Sequence, residues 1–266
     1  MSAIWYSFFE RNGFKGSEPL YYDATQFDWA ANIEHNWQTI RAELDAIVQQ
    51  NTQLMPYFDK NLVTQAQSWK TFPLMAWGIT MQDNCNKCPQ TISLLRQIPG
   101  MVSASFNLLE AHSRIKPHNG DTNAIARCHL GLYVPEGLPH CGFRVRGQDK
   151  AWQDGKLLLF CDAHEHTAWN DTNQNRYILL FDVILPPYLS QQRNICASVL
   201  ASLFLQSWAG RLGISVAHFD RLPHFLQTFI YHTARIAALV LTPLRNFLYR
   251  YRNYLGTIPF CFGLCL

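Results

Sequence analysis

Three residues in the middle of the chain are of types that do chemistry together: His118 in PHNGD, His166 in HEHTAW and Arg176 at the head of RYILLFDVIL. Neutral imidazole is a good ligand for Fe, Zn and Cu, and two imidazoles on one pocket wall leave metal positions open for small molecules. A guanidinium nearby can grip a carboxylate through two parallel hydrogen bonds. A non-haem Fe(II) oxygenase asks for such a set: imidazoles on one rigid face, open positions for O2 and a co-substrate, and a cation for a dicarboxylate. Each histidine taken alone is more often structural, so the surrounding pattern has to decide.

Positioning such residues requires a rigid frame, and the spacing predicts one. MVSASFNLL (101–109), AIARCHLGLYV (124–134), CGFRVRG (141–147), KLLLFC (156–161) and RYILLFDVIL (176–185) are short β-rich runs. The segments between them are Gly/Asn/Asp/Pro turn clusters. Strands at this spacing fit a jelly-roll barrel. Residues 30–50 place Trp37, Ile40, Leu44 and Ile47 at helical spacing, which predicts an amphipathic helix packed outside the barrel. Residues 89–98 read as a second short helix closed by Pro99 and Gly100.

The motifs PH-x-G, R-C-HLGL, W-x-x-G-K, EH-x-x-W-x-D and R-Y-I-L-L-F-D-V stand in that order over residues 117–183, preceded by SWKTFPLMAWG and NCNKCPQTISLLRQIPG. Over roughly residues 65–192 the chain resembles the aspartyl/asparaginyl β-hydroxylases, a family of Fe(II)/2-oxoglutarate dioxygenases that also includes bacterial lipid A hydroxylases. The resemblance implies a mainly β fold, a double-stranded β-helix of the jelly-roll or cupin-like kind, with flanking helices and an α-helical C-terminal extension. It implies Fe(II), 2-oxoglutarate and O2 as the cofactor set, with His118 and His166 as the iron ligands. By the same resemblance Arg176, Arg127, His129 and Asn107 surround 2-oxoglutarate, Asn107 standing where the family often has serine. Most Fe(II)/2-oxoglutarate enzymes carry a carboxylate two residues after the first histidine. Here that position is Gly120, as in the aspartyl/asparaginyl branch, which leaves the place to water. Asp121 is expected to act only through water or from behind the ligands. His164 is expected to line the pocket or to stand in solvent. Cys85 and Cys88 form a single CxxC, expected as thiols near the site, and Arg144 and Arg146 as a basic pair on one strand face.

Composition sets the broader bounds. In 266 residues, 48% are hydrophobic and only 15% charged, enough apolar material for a sizeable core but lean for a fully soluble surface. Residues 1–200 carry 16 Lys/Arg against 18 Asp/Glu, whereas residues 201–266 carry six Arg against Asp220 alone. A basic, acid-poor, apolar tail points to an anionic membrane surface more than to nucleic acid; the competing reading is a helical extension folded on the domain. Residues 1–192 are therefore read as the jelly-roll domain with its N-terminal helices, and 193–266 as a helical, apolar and basic extension. NICASVLASLFLQSWAG (194–210) lacks charge but is short for a membrane span. The N-terminal residues lack a basic segment before an apolar one, and the eight cysteines read as thiols, so the expected location is cytoplasmic, peripheral on the inner face of a membrane.

The reaction expected from the resemblance is hydroxylation of an unactivated C–H, with 2-oxoglutarate converted to succinate. Two substrate classes stand side by side: the acyl chain of a membrane lipid, which suits the tail, and the Cβ of an Asp or Asn side chain, free or in a peptide, which suits Gly120. A non-catalytic jelly-roll binding protein is the third reading.

Overall fold

The computed structural model describes residues 3–10, 12–50, 54–57, 59–211 and 221–255. The chain enters through β1 (Tyr21–Tyr22), α1 (Ala30–His35), α2 (Trp37–Gln49), β2 (Met55–Pro56), β3 (Trp69–Ala76), β4 (Ile79–Thr80), α3 (Gln82–Cys85) and α4 (Pro89–Leu95). Eight strands then follow: β5 (Met101–Leu109), β6 (Ser113–His118), β7 (Ile125–Tyr133), β8 (Cys141–Val145), β9 (Gln148–Lys150), β10 (Leu157–Cys161), β11 (His166–Asn170) and β12 (Arg176–Ile184). The chain closes with α5 (Gln192–Arg211) and α6 (His224–Leu255).

The eight strands from β5 to β12 divide between two antiparallel sheets. One has the order β1-β10-β7-β12-β5-β3-β2, with β4 on β3; the other has the order β6-β11-β8-β9. Successive strands β5 to β8 alternate between the sheets, and β9 to β12 return alongside them. This winding is the double-stranded β-helix, as the turn spacing led one to expect. The large sheet is buried on both faces, and β5 hides nearly all its side chains, Ala104 and Phe106 on one face and Ser103, Ser105 and Asn107 on the other.

Its outer face is covered by the N-terminal helices. Ile33, Ile40, Leu44, Ile47, Ile92 and Leu95 pack on alternate residues of β3, β5, β7 and β12, among them Leu74, Phe106, Leu130 and Phe181. The expected helix over 30–50 is two helices, broken at Asn36, whose side-chain amide bonds back to Asn32. The inner faces of the two sheets meet over a second cluster of Trp69, Leu109, Phe143, Val145, Trp152, Phe160 and Ile178. Polar side chains inside this second cluster make the candidate site.

The C-terminal helices lie on the domain. Helix α5 buries Ile195, Val199 and Leu200 against Trp77, Val102, Ile125 and Ile184. Helix α6 packs on α5 through Tyr231, whose hydroxyl donates to the Ser198 carbonyl at 3.1 Å. Farther along, Asn246 donates to the Gly78 carbonyl at 2.7 Å and accepts from the Thr80 amide at 3.2 Å. Arg245 donates to the Thr80 carbonyl at 3.2 Å.

Candidate metal and co-substrate site

Strands β6 and β11 are hydrogen-bonded neighbours, and their register sets His118 opposite His166. The two rings stand 4.2 Å apart between centroids. Each is aimed by the backbone two residues before it: Nδ1 of His118 lies 2.9 Å from the Lys116 carbonyl on β6, and Nδ1 of His166 lies 2.8 Å from the His164 carbonyl in the turn ahead of β11. A carbonyl only accepts, so each Nδ1 carries the proton and each Nε2 keeps its lone pair. Burial lowers both pKa values, and for His166 the neighbouring His118 lowers it further. Both rings are neutral at ordinary pH, the form that binds metal.

A carboxylate that the sequence reading did not single out stands beside them. Asp162, fully buried just after β10, places Oδ1 3.7 Å from His166 Nε2. That oxygen receives no directed hydrogen bond from the protein, although Arg127 Nη1 approaches it at 2.6 Å. A lone-pair nitrogen and a carboxylate oxygen thus face each other, an arrangement that suits a cation or a water between them. Gly120 is explained by the same group. A Cβ there would lie 1.6 Å from Asp162 Oδ2, so the side-chain space beside the first histidine is filled by an acid from another part of the chain. The Gly120 amide donates to the Asp162 carbonyl at 2.8 Å and the Asp121 amide to Asp162 Oδ2 at 3.2 Å.

Arg127 on β7 has two acidic neighbours. It makes a bidentate pair with Asp182, directly across on β12, through Nε at 2.8 Å and Nη2 at 3.0 Å, and it also faces Asp162. Burial works against the charged guanidinium, but Asp162 and Asp182 outweigh it and hold its pKa above the ordinary value. Burial also raises Asp162, against the pull of Arg127, and pushes Asp121 up to about 6.

Deeper in the barrel the polar groups are open. Arg176 is buried, its guanidinium 4.3 Å over the Trp152 ring, with no acid paired to it among the described residues and its Nε without a hydrogen-bond partner. Burial pushes its pKa down to about 10. Trp152 donates its indole N–H to His129 Nδ1 at 3.3 Å, so the proton of His129 sits on Nε2, which is buried and also lacks a partner. Burial, then the charge of Arg176, holds His129 well below its ordinary pKa. Two donors are therefore buried without acceptors in one pocket. Leaving such groups unpaired is costly, and an anionic ligand removes the cost.

Other residues named from sequence take different places. Both amide hydrogens of Asn107 go to Ser105, at 3.1 Å to the carbonyl and 2.8 Å to Oγ, and its oxygen accepts from the Trp69 indole at 3.0 Å. No donor of Asn107 is left for a ligand. His164 donates to the Glu18 carbonyl at 2.8 Å and packs on Phe14. Arg144 pairs with Asp149, while Arg146 stands in the turn after β8 with φ +42°, off the strand. Cys85 and Cys88 lie in the cluster outside the large sheet and not in the barrel, and burial pushes their thiols up to about 11 and 12. The expectation of thiols near the site is thereby corrected.

Comparison with known proteins agrees with this architecture. Residues 34–186 match the family model for aspartyl/asparaginyl beta-hydroxylase. The ornithine lipid ester-linked acyl 2-hydroxylase of Rhizobium tropici is 38% identical over 177 residues, 65% of this chain and 63% of that protein. The aspartyl/asparaginyl beta-hydroxylase of Homo sapiens is 32% identical over 169 residues, 61% of this chain and 22% of that protein. The match thus spans less than two thirds of either relative. Among solved structures, a Pseudomonas putida prolyl-4-hydroxylase superposes with a TM-score of 0.39 at 13% identity, over 55% of this chain and 86% of that one. With the paired histidines on adjacent strands of a double-stranded β-helix, and a family match across more than half its length, this chain belongs to the aspartyl/asparaginyl β-hydroxylase family.

Proposed function

We propose that the chain is an Fe(II)- and 2-oxoglutarate-dependent hydroxylase whose substrate is the acyl chain of a membrane lipid. The observation that carries the co-substrate is the pair of orphaned donors, Arg176 Nε and His129 Nε2, buried inside the barrel that holds the two neutral imidazoles. The donor chemistry fits the metal as well. Nε2 of His118 and of His166 would hold the ion, and Asp162 would place negative charge beside it. Two imidazoles leave the other metal positions open to co-substrate and water.

Bound Fe(II) supplies O2 activation, coupled to conversion of 2-oxoglutarate to succinate and CO2. The protein's own part is to bind, orient and exclude. Arg176 takes one carboxylate of the co-substrate by charge-assisted hydrogen bonds, and His129 donates from Nε2 to an oxygen of the same ligand. Arg127, tied to Asp182, keeps Asp162 in place beside His166. Phe143 and Phe160, with ring centroids 5.7 Å and 5.1 Å from that of His166, form a dry wall. Such a wall keeps the reactive centre from consuming itself on solvent.

The lipid reading is supported by the similarity to the acyl 2-hydroxylase of Rhizobium tropici and by the apolar, basic C-terminal helices. The human relative favours an Asp or Asn side chain instead. Gly120 does not discriminate between them, because its lack of a side chain answers to the position of Asp162. The test is succinate formation by the Fe(II)-loaded chain with detergent-dispersed ornithine lipid or phospholipid, against Asp-containing peptides. Lipid-dependent succinate with one acyl hydroxyl derived from O2 is the expected result. Succinate stimulated by peptide alone would move the assignment to the second reading, and failure to bind 2-oxoglutarate with either would leave a non-catalytic barrel.

A further inference from the structure

Helix α6 is built the wrong way round for a helix facing water. Its inward side is lined by Tyr231, Ala234 and Ala238, which pack on α5 and the barrel. Its outward side carries Phe225, Phe229, Ile236, Val240, Leu244 and Phe247, with exposures of 74%, 67%, 62%, 60%, 48% and 56%. The spacing of these residues sets them on one stripe, which at 1.5 Å per residue runs about 30 Å along the helix. A surface helix of a soluble domain shows water the opposite face. An exposed apolar stripe of this length marks a surface that meets another apolar phase.

Three observations choose that phase. The sequences of helices α5 and α6 hold Arg but not one Asp or Glu; Arg245 is itself turned to the Thr80 carbonyl, and the net positive charge of the helix pair complements anionic headgroups through its field. No helix of the described residues is long and apolar enough to cross a membrane, so α6 meets one lying flat. The helix is also tied to the rim of the site. Phe8 stacks on Tyr231 at 5.7 Å between centroids, and the adjoining Ser7 amide donates to the carbonyl of Asp121 at 3.1 Å, just past His118.

We infer that the outward stripe of α6 docks in the interface of an anionic phospholipid bilayer, with its axis along the membrane plane, and holds the His118 rim of the barrel to the lipid. The link to catalysis rests on the lipid reading given above; the docking itself does not.

Flotation of the full chain with vesicles separates the two. Wild-type protein is expected to float with phosphatidylglycerol-containing vesicles at low ionic strength, more weakly at high salt, and far less with phosphatidylcholine alone. The change Phe225→Glu with Phe229→Glu, at two solvent-facing positions, leaves the thermal melt in place. It weakens vesicle binding by about tenfold or more, the loss of at least one buried phenyl. Wild-type chain that ignores anionic vesicles at low salt, or binds neutral ones equally well, overturns the proposal. So does a concentration-dependent dimer dispersed by the same double change, which would make a second copy of the chain the occupant of the stripe. Vesicle binding without any lipid hydroxylation in detergent leaves the docking standing and removes the substrate reading alone.

Discussion

Arg127 and Arg176 are the same side chain on neighbouring strands, both turned into one barrel, yet their surroundings are opposite. Arg127 faces Asp162 and Asp182, and those acids hold its charge in place. Arg176 has an indole face and a histidine for company, no counter-charge among the described residues, and a pKa pushed down to about 10. Burying a charge without a partner costs several kcal/mol. A fold keeps such a residue at that cost only for something that arrives later. On the proposed function, Arg127 belongs to the architecture and Arg176 to the binding chemistry, a division that residue type alone does not reveal.

The contrast can be broken most directly at Arg127. Arg127→Ala strands two buried carboxylates, and stability should fall by about 3–5 kcal/mol, read as a large drop in melting temperature of the metal-free chain. An unchanged melt would show that the acids do not need their cation. Next in size is Arg176→Met, for which affinity for 2-oxoglutarate falls by about a hundredfold or more, within the cost of leaving a carboxylate unpaired. The melting temperature of the ligand-free protein holds or rises, because an uncompensated charge has left the interior. A destabilised variant with normal 2-oxoglutarate binding would reverse the roles assigned to the two arginines.

Gly120→Asp tests the space beside Asp162. The new side chain meets the Asp162 carboxylate, and overpacking of this kind costs about 1–3 kcal/mol; iron content of the purified protein should fall with it. Adding Asp162→Gly removes the collision and restores part of the iron, whereas an uncorrected double variant would mean that Asp162 is needed where it stands. The smallest change is expected at Asn107→Ser. Its amide is spent on Ser105 and Trp69, so the loss is about 1 kcal/mol of stability, and KM for 2-oxoglutarate should stay within roughly threefold. A large KM change would show that Asn107 leaves Ser105 when the ligand binds.

Much of this was legible from residues alone. The β5 run was read from Met101 to Leu109, the observed bounds, and the β12 run to within one residue, because Pro99 and Gly100 mark the start of the first and Pro186 and Pro187 the end of the second. Strands β6 and β11, which carry both histidines, were not in the list of runs. They belong to the smaller sheet, and β6 (SRIKPH) turns Arg114 and Lys116 to solvent while burying only Ser113 and Ile115. Asp162 was missed because nothing in DAHEH says that its carboxylate fills the space beside a glycine more than forty residues earlier. Gly120 was the available signal: a position without a side chain can be a vacancy or a place already taken, and only packing distinguishes them. Asn107 and Arg127 were placed by motif, which conveys position on a strand but not whether donors are already committed. In the tail, helix was readable from texture. That α5 spends its apolar residues on the barrel, whereas α6 turns its own outward, depends on the tertiary arrangement.

The carbonyl tethers of His118 and His166 have a consequence for how such a protein can diverge. Each ring is aimed by the backbone oxygen two positions earlier in the chain, and every amino acid brings that oxygen. Side-chain drift at Lys116 or His164 therefore leaves the aim of the imidazoles unaltered. Lineages can rebuild the walls and rims of the barrel for new substrates while inheriting the centre unchanged, since no neighbouring side chain has to be conserved to hold the two rings in register.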